Sequence, residues 1–415
     1  RGSAGVEVLI NGKPSILTSE QGNALGTITA NMIEKIEVIT NPSAKYDAEG
    51  TSGIINIVLK KEERKGTNGS FTINTGVPHN HSFGLSLNHR TEKLNLFSQL
   101  GAGYRELPND VRAVNRNLVT GQVLASEGEE FRNENFYNVI LGTDYYINPY
   151  NVITVSGNFA YEIEDQPSDT RFRLTDRAGN LISDWARSEV TEATNPKWQY
   201  EVQYKREHAD DDDHLLLFSA QGSYFGKDQS SEFNDVTISG DDNSGQQLTR
   251  TNFKEAENTI KLDYTRPLSN QFSVETGAQY LRTDVSNDFA VSDLVDGEWV
   301  GNEAFTNVFE YEQQVIGVYG SGAWEGEKWG IKAGLRLEHT LLNTLLVNTR
   351  QENNQDFANL FPSFHTSYKV TDNYSLQAGY SRRVRRPRLW DLNPFFNIRN
   401  NFNIRMGHPN LLPAY

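Results

Sequence analysis

The feature that most limits the fold of this chain is a two-residue rhythm, repeated in run after run from Gly69 onward and broken by turns. Ile153, Val155, Gly157, Phe159 and Tyr161 fall on one side of an extended backbone, and Thr154, Ser156, Asn158 and Ala160 on the other. The split recurs in Trp329, Ile331, Ala333, Leu335 and Leu337 against Lys332, Gly334, Arg336 and Glu338. Trp198, Tyr200, Val202 and Tyr204 stand likewise against Gln199, Glu201 and Gln203. Each run has one greasy and one wet face, which is strand periodicity.

The connections narrow the choice further. Tight turns are expected at 90–93, 148–151, 210–213, 267–270, 325–328 and 371–373, and long polar loops near 106–131, 164–194, 227–251, 285–307 and 341–354. Short and long connections therefore alternate after the first hairpin. A transmembrane β-barrel has a physical reason for this, since every second connection faces the periplasm, where a turn suffices, and the others face outward, where they grow freely. Fixed-period self-similarity of the solenoid or propeller kind is missing.

Composition agrees with a barrel. Aromatic residues make up 11% of the chain, with 18 Tyr and 21 Phe, while Cys is absent and Met occurs twice. Without Cys there is no disulfide framework, thiolate metal site or Cys nucleophile. The net charge of -15 argues against a nucleic-acid partner, whose phosphates call for Lys and Arg. Outer loops such as SEGEEF and SGDDNSGQQ take up much of that acid. The rhythm gives about thirteen barrel strands, an odd number that cannot close with antiparallel pairing throughout, so further strands are expected beyond Tyr415. No signal peptide opens the chain, and an earlier N-terminal segment is expected too.

Residues 1–68 differ in kind. Val6 to Ile10 reads as a short strand ending at the Asn11-Gly12 turn signal. A helical turn is expected at 29–35, followed by strands at 36–40 and 54–59 around a turn-rich segment, NPSAKYDAEGTSG. These strands are too short to span a bilayer.

The segment IEKIEVITNPSAKYDAEGTSGIINIVLKK resembles the end of the plug in TonB-dependent receptors. It couples Ile36-Glu37-Val38, Asn41-Pro42-Ser43, Tyr46, Gly53 and Ile55-Asn56-Ile57 in that family's order, directly before a barrel. The later segment YSRRVRRPRLWDLNPFFNIRNNFNIRMGHPNLLP resembles a barrel segment of the related outer-membrane β-barrel family. The resemblance implies an all-β membrane protein: a large antiparallel transmembrane barrel of about 22 strands in the full parent, about 13 of them here, with a small α+β plug domain inside. It divides the chain into the C-terminal part of the plug, 1–68, and the N-terminal part of the barrel, 69–415. It also implies active uptake of siderophore-iron, an oligosaccharide or a peptide across the Gram-negative outer membrane. The implied partners are the TonB complex with ExbB and ExbD, acting through an earlier segment, together with outer-membrane lipid and a surface lipoprotein. The competing class is a surface-binding or assembly barrel that holds a partner without transport.

The candidate site residues fall in two groups. Glu37, Asn41, Pro42, Ser43, Tyr46, Gly50, Gly53 and Asn56 form the plug signature. Its Pro and Gly residues suit a tight turn, which is a structural duty, and the turn is also a candidate substrate-facing surface. Arg382, Arg383, Arg385, Arg386 and Arg388 form the strongest basic cluster. They suit an anionic ligand or lipopolysaccharide, but the simpler reading, which is preferred, is pairing with carboxylates of neighbouring loops or the lumen. Lys332, Arg336 and Glu338 read as lumen charges facing the plug. The His79/His81 pair reads as a solvated turn rather than a metal site. No GxSxG, HExxH or Walker sequence occurs, and neither an enzyme nor a cofactor is expected.

Overall fold

The computed structural model describes residues 6–10, 13–14, 33–39, 43–49, 53–59, 65–208, 211–387, 389–393, 407–408 and 410–415. Two sheets result. The smaller has strands β1 (Val6–Ile10), β2 (Lys13–Pro14), β3 (Ile33–Ile39) and β4 (Gly53–Leu59) in the order β2-β1-β4-β3. β1 runs parallel to β4, and β3 antiparallel to it. The apolar run of β4 explains its central place, since Ile54 and Ile57 are buried. The helical turn expected at 29–35 gives way to strand from Ile33, because Ile33 to Val38 pair with Leu59 to Ile55; residues 29–32 lie outside the described residues.

The larger sheet is antiparallel throughout. Its strands are β5 (Gly66–Gly76), β6 (Asn80–Arg90), β7 (Leu94–Arg116), β8 (Val123–Asn148), β9 (Asn151–Thr175), β10 (Leu181–His208), β11 (Asp211–Gly240), β12 (Gly245–Ser269), β13 (Phe272–Val295), β14 (Glu298–Gly301), β15 (Asn307–Glu325), β16 (Trp329–Leu346), β17 (Gln351–Thr371) and β18 (Tyr374–Ser381). Thirteen of them pair in sequence order from β5 to β18, and the short β14 pairs only with β13. The expected strand count is found, and so are the tight turns except the one at 210–213, where Asp211 to Asp213 belong to β11 and 209–210 lie outside the described residues.

The long connections differ from expectation. Most of 106–131, 164–194 and 227–251 is not loop but continued ladder, so that β10 has 28 residues and β11 has 30. At about 3.3 Å per residue β11 reaches roughly 100 Å, several times what a bilayer requires. These stretches lack a continuous greasy stripe because they stand in water, apart from a small buried cluster of Leu124, Phe172 and Trp185. Paired backbone and cross-strand ion pairs such as Arg187–Asp235 at 2.7 Å hold them instead. The expected loop 285–307 is likewise filled by the end of β13, by β14 and by the start of β15, and what remains between strands on this side is short: 117–122, 176–180, 241–244, 296–297, 302–306 and 347–350.

Exposure along the strands is inverted relative to a soluble protein. On β16, Leu335 and Leu337 are 49% and 43% exposed, whereas the neighbouring Arg336 and Glu338 are each 1% exposed. The greasy face looks outward and the wet face looks into the lumen. Aromatic rings edge the outward band, with Trp329 against Tyr368 (4.6 Å between centroids) near the short turns and Trp198 against Tyr224 (5.6 Å) at the other border. Inside, Phe253, Val285, Phe309 and Leu342 form a buried apolar patch on which Leu392 of the short helix α1 (Leu389–Leu392) packs.

Candidate functional site: a buried ionic junction in the lumen

Strand alternation puts Lys261 and Asp263 of β12, Gly277 and Gln279 of β13, Tyr319 of β15, and Lys332, Gly334, Arg336 and Glu338 of β16 on one inward face. Residues 43–49, which fall in the chain between β3 at the edge of the small sheet and the central β4, lie against that face. Their backbone is held at several points. The Ala48 amide donates to Glu338 Oε1 (3.2 Å), and its carbonyl accepts from the Val384 amide (3.0 Å). The Lys45 carbonyl accepts from Lys261 Nζ (3.1 Å), and the Glu49 carbonyl from Arg383 Nη2. Gly334 permits the approach, because a Cβ there would lie 2.9 Å from the Cβ of Ala44.

The charges converge on Arg386. Its guanidinium pairs with Glu338, with Glu49 (3.1 Å) and with Asp47 (3.5 Å), and it is buried with Glu338. Arg336 pairs with Glu338, lies 3.8 Å from Asp47 and donates to Gln279 Oε1 (3.0 Å). Lys261 bonds Asp263 at 3.3 Å, and Tyr319 donates its hydroxyl proton to Asp263. Burial alone would raise the Asp47 carboxyl, but Arg386 and Arg336 beside it outweigh burial and hold it below its ordinary 3.8. A buried network of this kind gives little net stability, since desolvation offsets most of the attraction. It is nonetheless specific, because removing one member strands the others.

The sequence-derived candidates divide accordingly. Asn41, Pro42, Gly50 and Arg388 lie outside the described residues. Ser43 accepts the Tyr46 amide at 3.1 Å and closes the turn, and Gly53 pairs with Val6. Glu37 and Asn56 sit together within the small sheet, with Asn56 Nδ2 donating to Glu37 Oε2 at 2.8 Å. The arginine cluster does not share one surface. Arg382 stacks over Tyr415 (4.5 Å), Arg385 is exposed and 3.6 Å from Asp391, and Arg383 and Arg386 turn into the lumen. For Arg386 the carboxylate-pairing reading is the one the geometry takes up. Lys332, Arg336 and Glu338 are lumen residues, and the last two meet the 43–49 segment as expected. Asp47, Glu49, Lys261 and Asp263 were missed. Lys261 and Asp263 had a signal, since a charge in phase with the wet face of a membrane strand needs a partner, whereas Asp47 and Glu49 lie on no strand and had none. Of the histidine pair, His79 lies in the β5–β6 turn and His81 stands on β6 with its Nδ1 2.8 Å from Thr75 Oγ1 of β5.

Residues 206–415, half of the chain, match the model of the outer membrane protein beta-barrel family. The chain belongs to that family. The family places it in the outer membrane and bears out the resemblance read from the sequence. Its fold is similar to that of the ferripyoverdine receptor of the outer membrane of Pseudomonas aeruginosa, with TM-score 0.57 and 14% identity over 94% of this chain and 52% of that one. It is also similar to the ferric-catecholate import receptor Fiu from K12 E. coli, with TM-score 0.55 and 11% identity over 96% of this chain and 59% of that one. The chain thus spans little more than half the length of these solved structures.

Proposed function

We propose that this outer-membrane β-barrel chain is part of an import receptor in which residues 1–68 are the end of a plug and 69–415 the first part of the barrel. One observation carries the reading: the 43–49 segment is fixed to the lumen wall by backbone hydrogen bonds and the Asp47–Arg386–Glu338 network, beside a small apolar contact of Ala48 with Phe361 and Val384. A plug that must move has reason to be held this way, because water entering the junction replaces each polar contact, whereas separating an apolar interface exposes greasy surface. The long hairpins would capture solute on the outside, and the TonB complex with ExbB and ExbD would pull the plug from the periplasmic side. The names of the two similar structures make a ferric siderophore the first substrate to try, ahead of an oligosaccharide or peptide. The test is uptake of a panel of iron-loaded siderophores by cells expressing the full protein, with TonB present or deleted. Accumulation that depends on both is expected. Accumulation that persists without TonB would refute the coupling, and binding without accumulation would favour a surface-binding barrel.

A further inference from the structure

The membrane-facing surface carries an indentation that transport does not use. On the outward side of β12, β13, β15 and β16 a groove of about 570 Å³ lies between two ridges, Leu262 and Tyr264 on one side and Leu335 and Leu337 on the other. Its depth follows from register. In one row Tyr264, Thr276, Gly320 and Leu335 are successive cross-strand partners, and in the next Leu262, Ala278, Val318 and Leu337, so small residues floor the space between bulky walls. Gly320 needs no glycine for its backbone or its packing, for a Cβ there would meet nothing within 4 Å. Gly277 beside it differs, since a Cβ would strike the Tyr319 ring at 2.6 Å and the Leu262 carbonyl at 2.5 Å. What Gly320 keeps open is the groove.

The groove is continuous with the outward apolar band and therefore faces acyl chains. At its short-turn end, two residues beyond Tyr264 on the same face of β12, stands Arg266, an exposed cation with no ion-pair or hydrogen-bond partner for its side chain among the described residues. Short turns mark the periplasmic side, where the inner leaflet presents its phosphates. Tyr264, whose hydroxyl lies 3.0 Å from His214 Nε2, stands between the cation and the apolar floor. Apolar groove and unpaired cation are thus stacked in the order of a phospholipid's own parts.

We propose that this face holds one phospholipid of the inner leaflet of the outer membrane, an acyl chain lying in the groove and the phosphate on Arg266. Such a lipid would remain with the protein when the rest of the annulus exchanges. The test is native mass spectrometry of the full protein folded in vesicles of phosphatidylethanolamine and phosphatidylglycerol, then extracted into mild detergent. One retained phospholipid is expected on the unaltered protein and on Gly157→Phe, a control at another outward glycine whose Cβ would meet only the Gln199 carbonyl at 3.8 Å. Gly320→Phe should lose it. Ala278→Leu, which blocks the same floor from the next row, should lose it too and carries the test if Gly320→Phe fails to fold. Arg266→Gln should weaken retention roughly tenfold, the equivalent of one charge-assisted hydrogen bond. Retention that survives the floor substitutions would overturn the proposal. So would an equal loss in Gly157→Phe, or an unaltered protein that keeps no lipid.

Discussion

Arg386 lies among the carboxylates of Asp47, Glu49 and Glu338, which balance its charge among the described residues. Replacing it with Ala leaves the buried Glu338 with Arg336 as its one described counter-ion, a loss of about 1–3 kcal/mol in the docking of residues 43–49. Amide hydrogen exchange at Ala48 and Glu49 should rise accordingly, and Arg386→Lys should fall between the two because one ammonium cannot span the same carboxylates. Unchanged protection would mean that the junction is held elsewhere. The pH dependence has a definite sign. The Asp47 carboxyl is depressed in the folded protein by Arg386 and Arg336 against the effect of burial, so its contribution is fully present above the ordinary 3.8 and is lost as pH falls through the depressed value. Docking, followed by labelling of a Cys placed at Ser43, should therefore persist through mildly acidic pH and fail only in strong acid. Asp47→Asn should remove that part of the acid dependence.

At the level of elements, the small sheet and the barrel wall meet where β16 offers Gly334 to Ala44. Gly334→Val should push the 43–49 turn off the wall while leaving the β16 backbone paired, since Val suits a strand, although its Cβ would also press on Ser321 Cβ at 2.9 Å and Ser363 Oγ at 3.0 Å on the flanking strands. The expected result is an unchanged β-sheet circular dichroism signal together with protease cleavage within 43–49. A sheet that also melts would show that the glycine serves the strand itself. The turns and the strand count were legible in the sequence because membrane strands carry a greasy stripe, as at Leu335 and Leu337. The hairpins beyond the membrane were not legible as strands. Residues such as Arg187 and Asp235 pair across the ladder in water, and nothing in a polar stretch separates a paired strand from a loop until its partner is known. Arg386 was legible as a charge seeking carboxylates. Its partners Asp47 and Glu49 lie more than 300 residues away, and periodicity carries no information over that distance.

For the molecule as a whole, the membrane reading makes one substitution behave differently at two sites of equal exposure. Leu335 is 49% exposed on β16 within the outward apolar band, and Ile238 is 53% exposed near the tip of the β11 hairpin. Surface exposure alone assigns both the same tolerance for a charge. If lipid surrounds the first and water the second, Leu335→Arg should cost about 2–4 kcal/mol, while Ile238→Arg should stay within about 0.5 kcal/mol. Denaturant titration of the full protein folded in vesicles, followed by Trp emission, measures both on one scale. Equal costs would remove the bilayer from the outward face. A large cost at Leu335 alone would mean that the greasy stripe is solvated by lipid, as the burial of Arg336 and Glu338 on the opposite face requires.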